Sequence, residues 1–353
     1  MSSSEISVLV TGVGGGSLGR EIIKAFKIAS RKYKIVAVDA SNTSVGLFET
    51  PFRYIVPTAN SKNYIEILLK ICKKEDIQVL VPGSEPEIEV IAKNIKIFSE
   101  NGIEVLTNPF KMIELCVDKY NLTKFLTSKG VTCPKTILFN NEDSLKDFDN
   151  YPLIIKPRKG AGSRNVFLAH DKEESLLFSN YLKKHGHSVL IQEYVGNFEN
   201  EFTIGILFED NGKLLTSIAM KRLLEGGLST RYISNNLHKK FVISSGISQG
   251  IFDDFKEIRK MGEKIAKILG TNGPINIQCR NTESGIVPFE INPRFSGTTG
   301  SRSLVNHNEP DILCGYRLFK ETPKNFSHKI GFVLRDLNEK FITLDEINKI
   351  PKL

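Results

Sequence analysis

Apolar runs and amphipathic runs alternate through residues 6–110, separated by short turns. ISVLVTG is an apolar run of strand length, and LGREIIKAFKIAS repeats its apolar residues at helical spacing. KIVAVDA predicts a second strand, NYIEILLKICKKED a second helix and IQVLVPG a third strand. EPEIEVIAKNIKIFSENG predicts one further helix and IEVLTN a fourth strand. Such alternation implies an α/β fold with a doubly wound parallel sheet at this end.

The pattern shifts near Asn108-Pro109. A helical stretch, PFKMIELCVDKYNLTKFLTSKG, leads through VTCPKTILF into a small α+β unit with strands at YPLIIKP, NVFLA and SVLIQEYV. Beyond residue 196 the pattern is rich in antiparallel strands: EFTIGILFE, KLLTSIAMKR, PINIQCR and IVPFEINP, with the helix FDDFKEIRKMGEKIAKILG among them. HKIGFVLRD predicts a terminal strand. The expected domains are residues 1–112, 113–195 and 196–320, with 321–353 as a C-terminal extension.

Composition narrows the class. The chain has 353 residues and 40% hydrophobic content, enough for a large core in two or three domains. No charged segment precedes an apolar one at the start, and no run reaches the ~18 apolar residues of a membrane span. The expectation is a soluble, unprocessed, cytoplasmic protein that meets no membrane. Cys72, Cys116, Cys133, Cys279 and Cys314 are scattered, without a CxxC pair or a nearby His, which fits small core residues in a reducing compartment. The net charge is +8, but Lys and Arg spread along helix-like segments without interleaved aromatics. That distribution argues against nucleic acid and for a lysine-rich surface that favours anionic substrates.

Four stretches carry candidate chemistry. TGVGGGSLGREIIK sets glycines, Gly14 and Gly15 among them, between a strand and a helix, and Asp39 ends the next strand 20 residues after Gly19. Alone this is a dinucleotide fingerprint, or else a tight turn beside a cleft that another ligand uses. In YPLIIKPRKGAGSRNVFL a strand delivers Lys156, and a basic turn follows with Lys159, Gly160, Gly162 and Ser163. Such a turn can fold over a polyphosphate, or be an ordinary hairpin connection. VLIQEYVGNFENEFTIGILF ends a strand at Gln192, Glu193, Tyr194 and Val195. That tail suits a hinge holding an adenine edge, with Val195 or Ile155 on the ring face and Glu201 placed for ribose hydroxyls. The plainer reading makes both glutamates exposed strand-end acids.

The fourth stretch is VPFEINPRFSGTTG. Side chains two apart share one face of a strand, so Glu290, Asn292 and Arg294 point one way and Phe289 and Ile291 the other, into a core. PINIQCR repeats the pattern with Asn276, Gln278 and Arg280, and NTESG between the two is a hairpin loop. Gln278, Glu290 and Asn292 then offer three oxygen ligands in one patch, chemistry that suits Mg²⁺ or Mn²⁺ completed by substrate phosphates. Arg294 beside them suits a transferring phosphoryl group.

In this order, these stretches resemble the ATP-grasp superfamily over nearly the whole chain. DKYNLTKFLTSKGVTCPKT is similar to the family's entry to the nucleotide fold, and IIKPRKGAGSRNV to its phosphate-loop strand pair. QEYVGNFENEFTIGI is similar to its hinge, and NIQCR with FEINPRFSGTT to its metal strands. Residues 6–110 resemble the family's N-terminal, Rossmann-like domain, which borders the substrate site; this weakens the dinucleotide reading. The Gln–Glu–Asn set is similar to that of the carbamoyl-phosphate synthetase large chain, although this chain is far shorter and looks more like single-unit carboxylate–amine ligases. The resemblance implies that Lys119 and Lys156 bind ATP phosphates and that Lys159 to Arg164 form a lid. It implies adenine on the Glu193 and Val195 backbone, ribose on Glu201, metal on Gln278, Glu290 and Asn292, and an acyl-phosphate steadied by Arg294.

The reaction so implied joins a small-molecule carboxylate to an amine, with release of ADP and phosphate. Ser84 and Glu85, at a strand end opening into a helix, and Arg222 and Arg231 in KRLLEGGLSTRYISNN are candidates to meet substrate. Glu87 reads as a first-turn helix acid, His185 and His187 as exposed, and His307 as a weak candidate for catalysis. Two rivals stay open: an ATP-binding regulatory protein without turnover, and an NAD-dependent oxidoreductase using the first glycine loop. A homodimer is as compatible with the sequence as a monomer.

Overall fold

The computed structural model describes residues 5–160, 162–225, 228–236, 239–323 and 327–353. The first unit contains strands β1 (Ile6–Thr11), β2 (Tyr33–Asp39), β3 (Phe52–Ile55), β4 (Val79–Val81) and β5 (Glu104–Val105) with helices α1 (Leu18–Lys27), α2 (Tyr64–Lys74), α3 (Glu85–Lys93) and α4 (Ile95–Ser99). All its strand pairs are parallel, in the order β3-β2-β1-β4-β5. The fifth strand, β3, has only four residues with Arg53 among them, too short a run to stand out in the pattern. The helix expected over residues 85–102 is two, parted at Asn94, whose side chain turns back to donate to the Val90 carbonyl at 2.8 Å.

Helices α5 (Phe110–Val117) and α6 (Lys119–Ser128) lead to a four-stranded antiparallel sheet of β6 (Thr136–Leu138), β7 (Leu153–Pro157), β8 (Phe167–Ala169) and β9 (Val189–Glu193), ordered β6-β9-β7-β8, with α7 (Lys172–Lys184) packed on it. The Asp118 carboxylate caps α6 by accepting from Asn121 N–H at 3.1 Å, which makes Lys119 the first residue of that helix.

The third unit contains β10 (Glu201–Phe208), β11 (Leu214–Leu223), the hairpin β12 (Thr230–Asn236) and β13 (Lys239–Ser244), β14 (Gln249–Phe252), α8 (Lys256–Ile268), β15 (Pro274–Thr282) and β16 (Gly285–Asn292). α9 (Thr299–Leu304), α10 (Glu309–Phe319), β17 (Gly331–Val333) and α11 (Leu344–Asn348) complete the chain. Six of these strands form one sheet, β16-β15-β10-β11-β14-β17. The long helix starts later than its apolar pattern suggests, because Phe252 is spent in β14.

Two cores position the site. Met112, Leu122 and Leu126 of α5 and α6 pack with Ile258 and Ile265 of α8 on one face of the six-stranded sheet, against Ile204, Ile277 and Ile291. The other core joins units: Val8 and Val10 of β1 share it with Leu207, Phe295 and Leu313. Residues 321–353 do not stand apart. β17 closes the edge of the large sheet, and Ile350 enters the core of the first unit, where Ile55 N–H donates to the Pro351 carbonyl at 2.8 Å. Among the described residues, no helix is long and apolar enough to cross a membrane.

Candidate active site

Strand alternation places the lysine. Leu153 and Ile155 of β7 face the core of the small sheet, so Ile154 and Lys156 face a cavity. Ile154, and not the Ile155 expected there, therefore lines the cavity, as the same two-residue rule that places Lys156 requires. Lys156 Nζ donates to Gln192 Oε1 at 2.7 Å, and Gln192 Nε2 donates to Thr136 Oγ1 at 2.9 Å, so three strands hold the ammonium in place. Burial, and then the nearby Lys119 charge, push the Lys156 pKa down to about 8, with Glu290 pulling the other way. Burial also lowers Lys119, against the raising influence of Glu290, Glu85 and Asp118.

The glycine-bearing turn after β7 is tied down at several points. Arg158 forks onto Asp118, with Nε to Oδ1 at 2.8 Å and Nη2 to Oδ2 at 2.7 Å. Lys119 Nζ donates to the Gly160 carbonyl, and Ser163 Oγ to the Ser244 carbonyl at 3.1 Å. Gly162 sits at φ +67°, where a side chain would be strained. The exposed Lys159 belongs to the same turn. Ala161 of the expected lid lies outside the described residues.

Opposite this turn stands the polar face of the large sheet. The β15–β16 register sets Gln278 across from Glu290 and Asn276 across from Asn292. Asn292 Nδ2 donates to Glu290 Oε1 at 3.2 Å, while Gln278 Oε1 accepts from Arg222 Nη1 at 2.8 Å. One carboxylate and two carboxamide oxygens, faced by two lysines, fit a hard cation that shares its charge with phosphates. Among the described residues, no three His, Cys, Asp or Glu side chains gather to form a rival metal cluster.

The register also corrects the core assignment of Phe289. It shifts between Gln278 and Cys279, where Cys279 pairs with Pro288, and Phe289 is the extra residue of the bulge. Phe289 consequently lines the cavity, with the Arg280 guanidinium 5.5 Å from its ring centroid, while Ile291 remains in the core. Arg280 had no expected role. It forks onto Glu201 Oε2 at 3.0 and 2.9 Å, donates to the Val195 carbonyl at 3.0 Å and lies 4.3 Å from the Tyr194 ring centroid.

Glu201 and Arg222 depart from expectation in the same way. Glu201 is fully buried, its second oxygen taken by Arg222 Nη1 at 2.6 Å. It clasps two arginines at the wall of the narrow pocket, which it also lines. Arg222 is likewise buried, committed also to Ser244 Oγ at 2.8 Å and Ser248 Oγ at 3.1 Å, and so does not reach toward an acceptor. Arg231 is exposed on β12, away from the cleft. Gly226 and Gly227, in the same stretch of sequence, lie outside the described residues. Around the hinge, the Tyr194 hydroxyl is clipped to the Val242 backbone at 3.2 and 3.1 Å. Glu193 is exposed, and its N–H donates to the Lys135 carbonyl at 2.9 Å. Among the described residues no acceptor meets the Val195 N–H.

The cavity has two parts. A narrow pocket of about 90 Å³ lies between Ile154, Val195, Ile243 and Phe289. Past Lys119, Lys156 and Glu290, which line both parts, a cleft of about 820 Å³ runs between the sheet and the first unit. Ser84 and Glu85 line this cleft with Asn292 and Arg294. Arg294 donates from Nε and Nη2 to Glu85 Oε1 at 3.0 and 2.7 Å, and from Nη1 to the Phe295 carbonyl at 2.8 Å. Burial works against the Glu85 charge, but Arg294 and the more distant Arg164 hold its carboxyl below the ordinary value.

The first glycine loop makes room for protein. A side chain on Gly16 would come within 2.9 Å of Ile247 Cδ1, from the third unit, and Gly14 and Gly15 meet Ser44 and Val45. Neither Gly14 nor Gly15 lines the cleft. Asp39 accepts from Ser41 N–H at 2.9 Å, closing its own turn. Glu87 is buried at the start of α3, where Tyr64 donates at 2.8 Å and Ser84 at 2.7 Å, and burial raises its pKa. His307 is buried near Thr216 and does not line the cleft, and burial drives its pKa down to about 3, so it is a neutral buried residue. His187 lies at the rim of the cleft.

A family model described as the PylC-like N-terminal domain matches residues 8–106, and one described as the ATP-grasp domain matches residues 116–298. The carbamoyl phosphate synthase large chain of Clostridium beijerinckii is 24% identical over 321 residues, covering 86% of this chain and 28% of that one. The chain thus spans between 22% and 28% of the length of the curated relatives it matches. Among solved structures, the biotin carboxylase–β-γ-ATP complex from Campylobacter jejuni aligns with a TM-score of 0.66 at 14% identity, over 92% of this chain and 73% of that one. The L-amino acid ligase from Bacillus licheniformis aligns with a TM-score of 0.63 at 16% identity, over 89% and 74%. At these identities the likeness establishes the fold.

Proposed function

Because this chain belongs to the ATP-grasp family, we propose that it is an ATP-dependent ligase that activates a small-molecule carboxylate as an acyl-phosphate for attack by an amine. The observation that carries the reading is the meeting of Lys119 and Lys156 with Glu290 where the narrow pocket opens into the cleft, with Arg294 farther along it. Adenine would fill the pocket between Ile154 and Phe289, with the free Val195 N–H at its edge. Lys119, Lys156 and the turn from Lys159 to Arg164 would then grip the phosphates.

Gln278, Glu290 and Asn292 are the residues that would hold Mg²⁺, which when bound supplies positive charge to phosphate oxygens. The chain's own part is positioning and electrostatics, because phosphoryl transfer to a carboxylate needs no protein nucleophile. Lys156 and Arg294 neutralise the charge of the phosphoryl group as it passes from ATP, whose bond to it breaks to release ADP, to the attacking carboxylate oxygen. The turn over the pocket keeps water from the acyl-phosphate, whose hydrolysis is the competing fate. The partners on this reading are a small carboxylate and a small amine. Each copy carries a whole site, so a homodimer and a monomer serve it equally.

The test is ADP release from ATP and Mg²⁺ over a panel of amino acids and sugar acids, each with and without an added amine. Substrate-stimulated ADP with an amide product is expected. ATP binding, seen as a thermal shift, without stimulation by any acid would overturn the reading in favour of a regulatory protein.

A further inference from the structure

Lys119 and Lys156 reach the mouth of the narrow pocket from different units. Lys119 opens α6, whose Leu122 and Leu126 share a core with Ile291, the residue between Glu290 and Asn292. Lys156 belongs to the small sheet. The two ammonium groups repel, and after burial that repulsion is the second cause of the low Lys156 pKa. A flexible lysine stem beside a like charge needs a tether to stay in place.

The tether is one ion pair and two carbonyls. Arg158, two residues past Lys156, forks onto Asp118, and the same carboxylate accepts from Asn121 N–H at 3.1 Å and from Asn121 Nδ2 at 3.0 Å. Lys119 N–H donates to the Arg158 carbonyl at 3.2 Å, and Lys119 Nζ donates to the Gly160 carbonyl. Arg158 N–H in turn donates to the Ser188 carbonyl at 2.8 Å, one step beyond the Pro157–Val189 pair of β7 and β9. A line of contacts thus runs from the small sheet through Arg158 and Asp118 to the backbone of Lys119. Asp118 is buried, and its bonds from Arg158 hold its carboxyl below the ordinary value, so it stays ionised.

Neither Asp118 nor Arg158 lines the narrow pocket or the cleft. We propose that the two are positioning residues for ATP, their ion pair setting Lys119 beside Lys156 where phosphates would lie. The inference rests on the reading of this cleft as an ATP site. Opposite charges at hydrogen-bond distance largely cancel farther away, so the pair acts on a phosphate through Lys119 and not through its own field.

Isothermal titration of the full chain with ATP and Mg²⁺ tests this. Asp118→Asn keeps a side chain that caps α6 and loses the charge that holds the fork. Arg158→Lys keeps the charge and loses the fork. Both are expected to weaken ATP binding, Asp118→Asn roughly 10-fold, the loss of most of one charge-assisted contact. The circular dichroism spectrum and the nucleotide-free melting temperature should stay nearly constant. A direct field effect predicts the reverse for Asp118→Asn, which removes a negative charge near an anion.

In a Lys119→Met background the two substitutions should cost nothing further, since the residue they place no longer carries a charge. Undiminished ATP affinity in the two variants, or a loss that persists in the Lys119→Met background, would overturn the inference and leave the ATP site standing. A wild type that binds no ATP would overturn the proposed function with it. Full affinity in Lys119→Met would overturn the role of Lys119 on which the inference stands.

Discussion

Arg294 gives two of its N–H groups to a single oxygen of Glu85, and so ties the end of the metal-type strand to the first turn of α3. The pair is partly exposed, and such pairs contribute about 0–1 kcal/mol to stability. On the proposed reading its value is in function. Arg294→Lys, which loses the planar fork, is expected to lower kcat roughly 10²-fold while ATP affinity stays nearly constant. Glu85→Gln should leave the melting temperature almost unchanged yet alter KM for the carboxylate. In a double-mutant cycle on kcat/KM the two effects should fail to add, because the residues touch. Simple additivity would show that the pair does not act as a unit.

Glu290 is the one carboxylate among the three oxygen donors. Replacing it with Gln keeps the shape and removes the charge, so ADP formation should fall roughly 10²-fold or more with little change in the unfolding midpoint. Chelation of divalent ions should have the same effect on the wild type. Undiminished turnover in either case would remove the metal from the proposed site.

Lys156 makes the site pH-dependent. Its pKa is pushed down to about 8 by burial and by Lys119, so its positive charge is present below that value and lost above it. ATP binding by the free protein should weaken as pH rises past about 8, and Lys156→Arg should move that limb upward. Stability responds in the opposite direction. Between about 8 and the ordinary lysine value of 10.5 the unfolded chain binds a proton that the folded chain does not, so this residue's contribution to stability rises with pH across that window. Denaturant titrations of wild type and Lys156→Met at both ends of the window should show the wild type gaining on the variant as pH increases. A constant difference would contradict the depressed pKa.

In the row of Asn292 and Asn276 across the sheet, there is no room for a side chain at position 205. A methyl group on Gly205 would collide with Arg302 and Glu309, which are fully buried and paired at 3.1 and 3.0 Å, with Arg302 also donating to Asn276 Oδ1 at 2.7 Å. Gly205→Ala should destabilise the fold by roughly 3–5 kcal/mol, the cost of breaking a buried ion pair. Thermal unfolding measures this directly. A change within a degree or two would mean that the network relaxes freely.

Elements that bury continuous apolar runs, such as β1 and β2, were legible because a strand hidden on both faces needs nothing else, and β15 was legible by its alternation. The hairpin of TRYISNN and KKFVIS was not, since polar and basic residues interrupt its apolar pattern. The order of Lys156, Glu290, Asn292 and Arg294 could be read because side-chain alternation is a local property. The Phe289 bulge could not, because one extra residue in a ladder leaves the apolar pattern intact. Nor could the clasp of Glu201 by Arg222 and Arg280, which depends on three strands meeting across 21 and 79 positions of sequence. Arg222 looked like a free cation only while its partner was out of sight.

Val8 and Val10 lie in one core with Phe295 and Leu313. The wall that carries Glu85 and the wall that carries Arg294 thus belong to a single rigid frame, and parting them would mean opening that core. The small sheet has a core of its own, and its glycine turn meets the third unit through Ser163 and the Ser244 carbonyl. The cleft is in effect a caliper with locked jaws. On the proposed reading it would admit acids by their length, and nucleotide arrival would change only the turn above them.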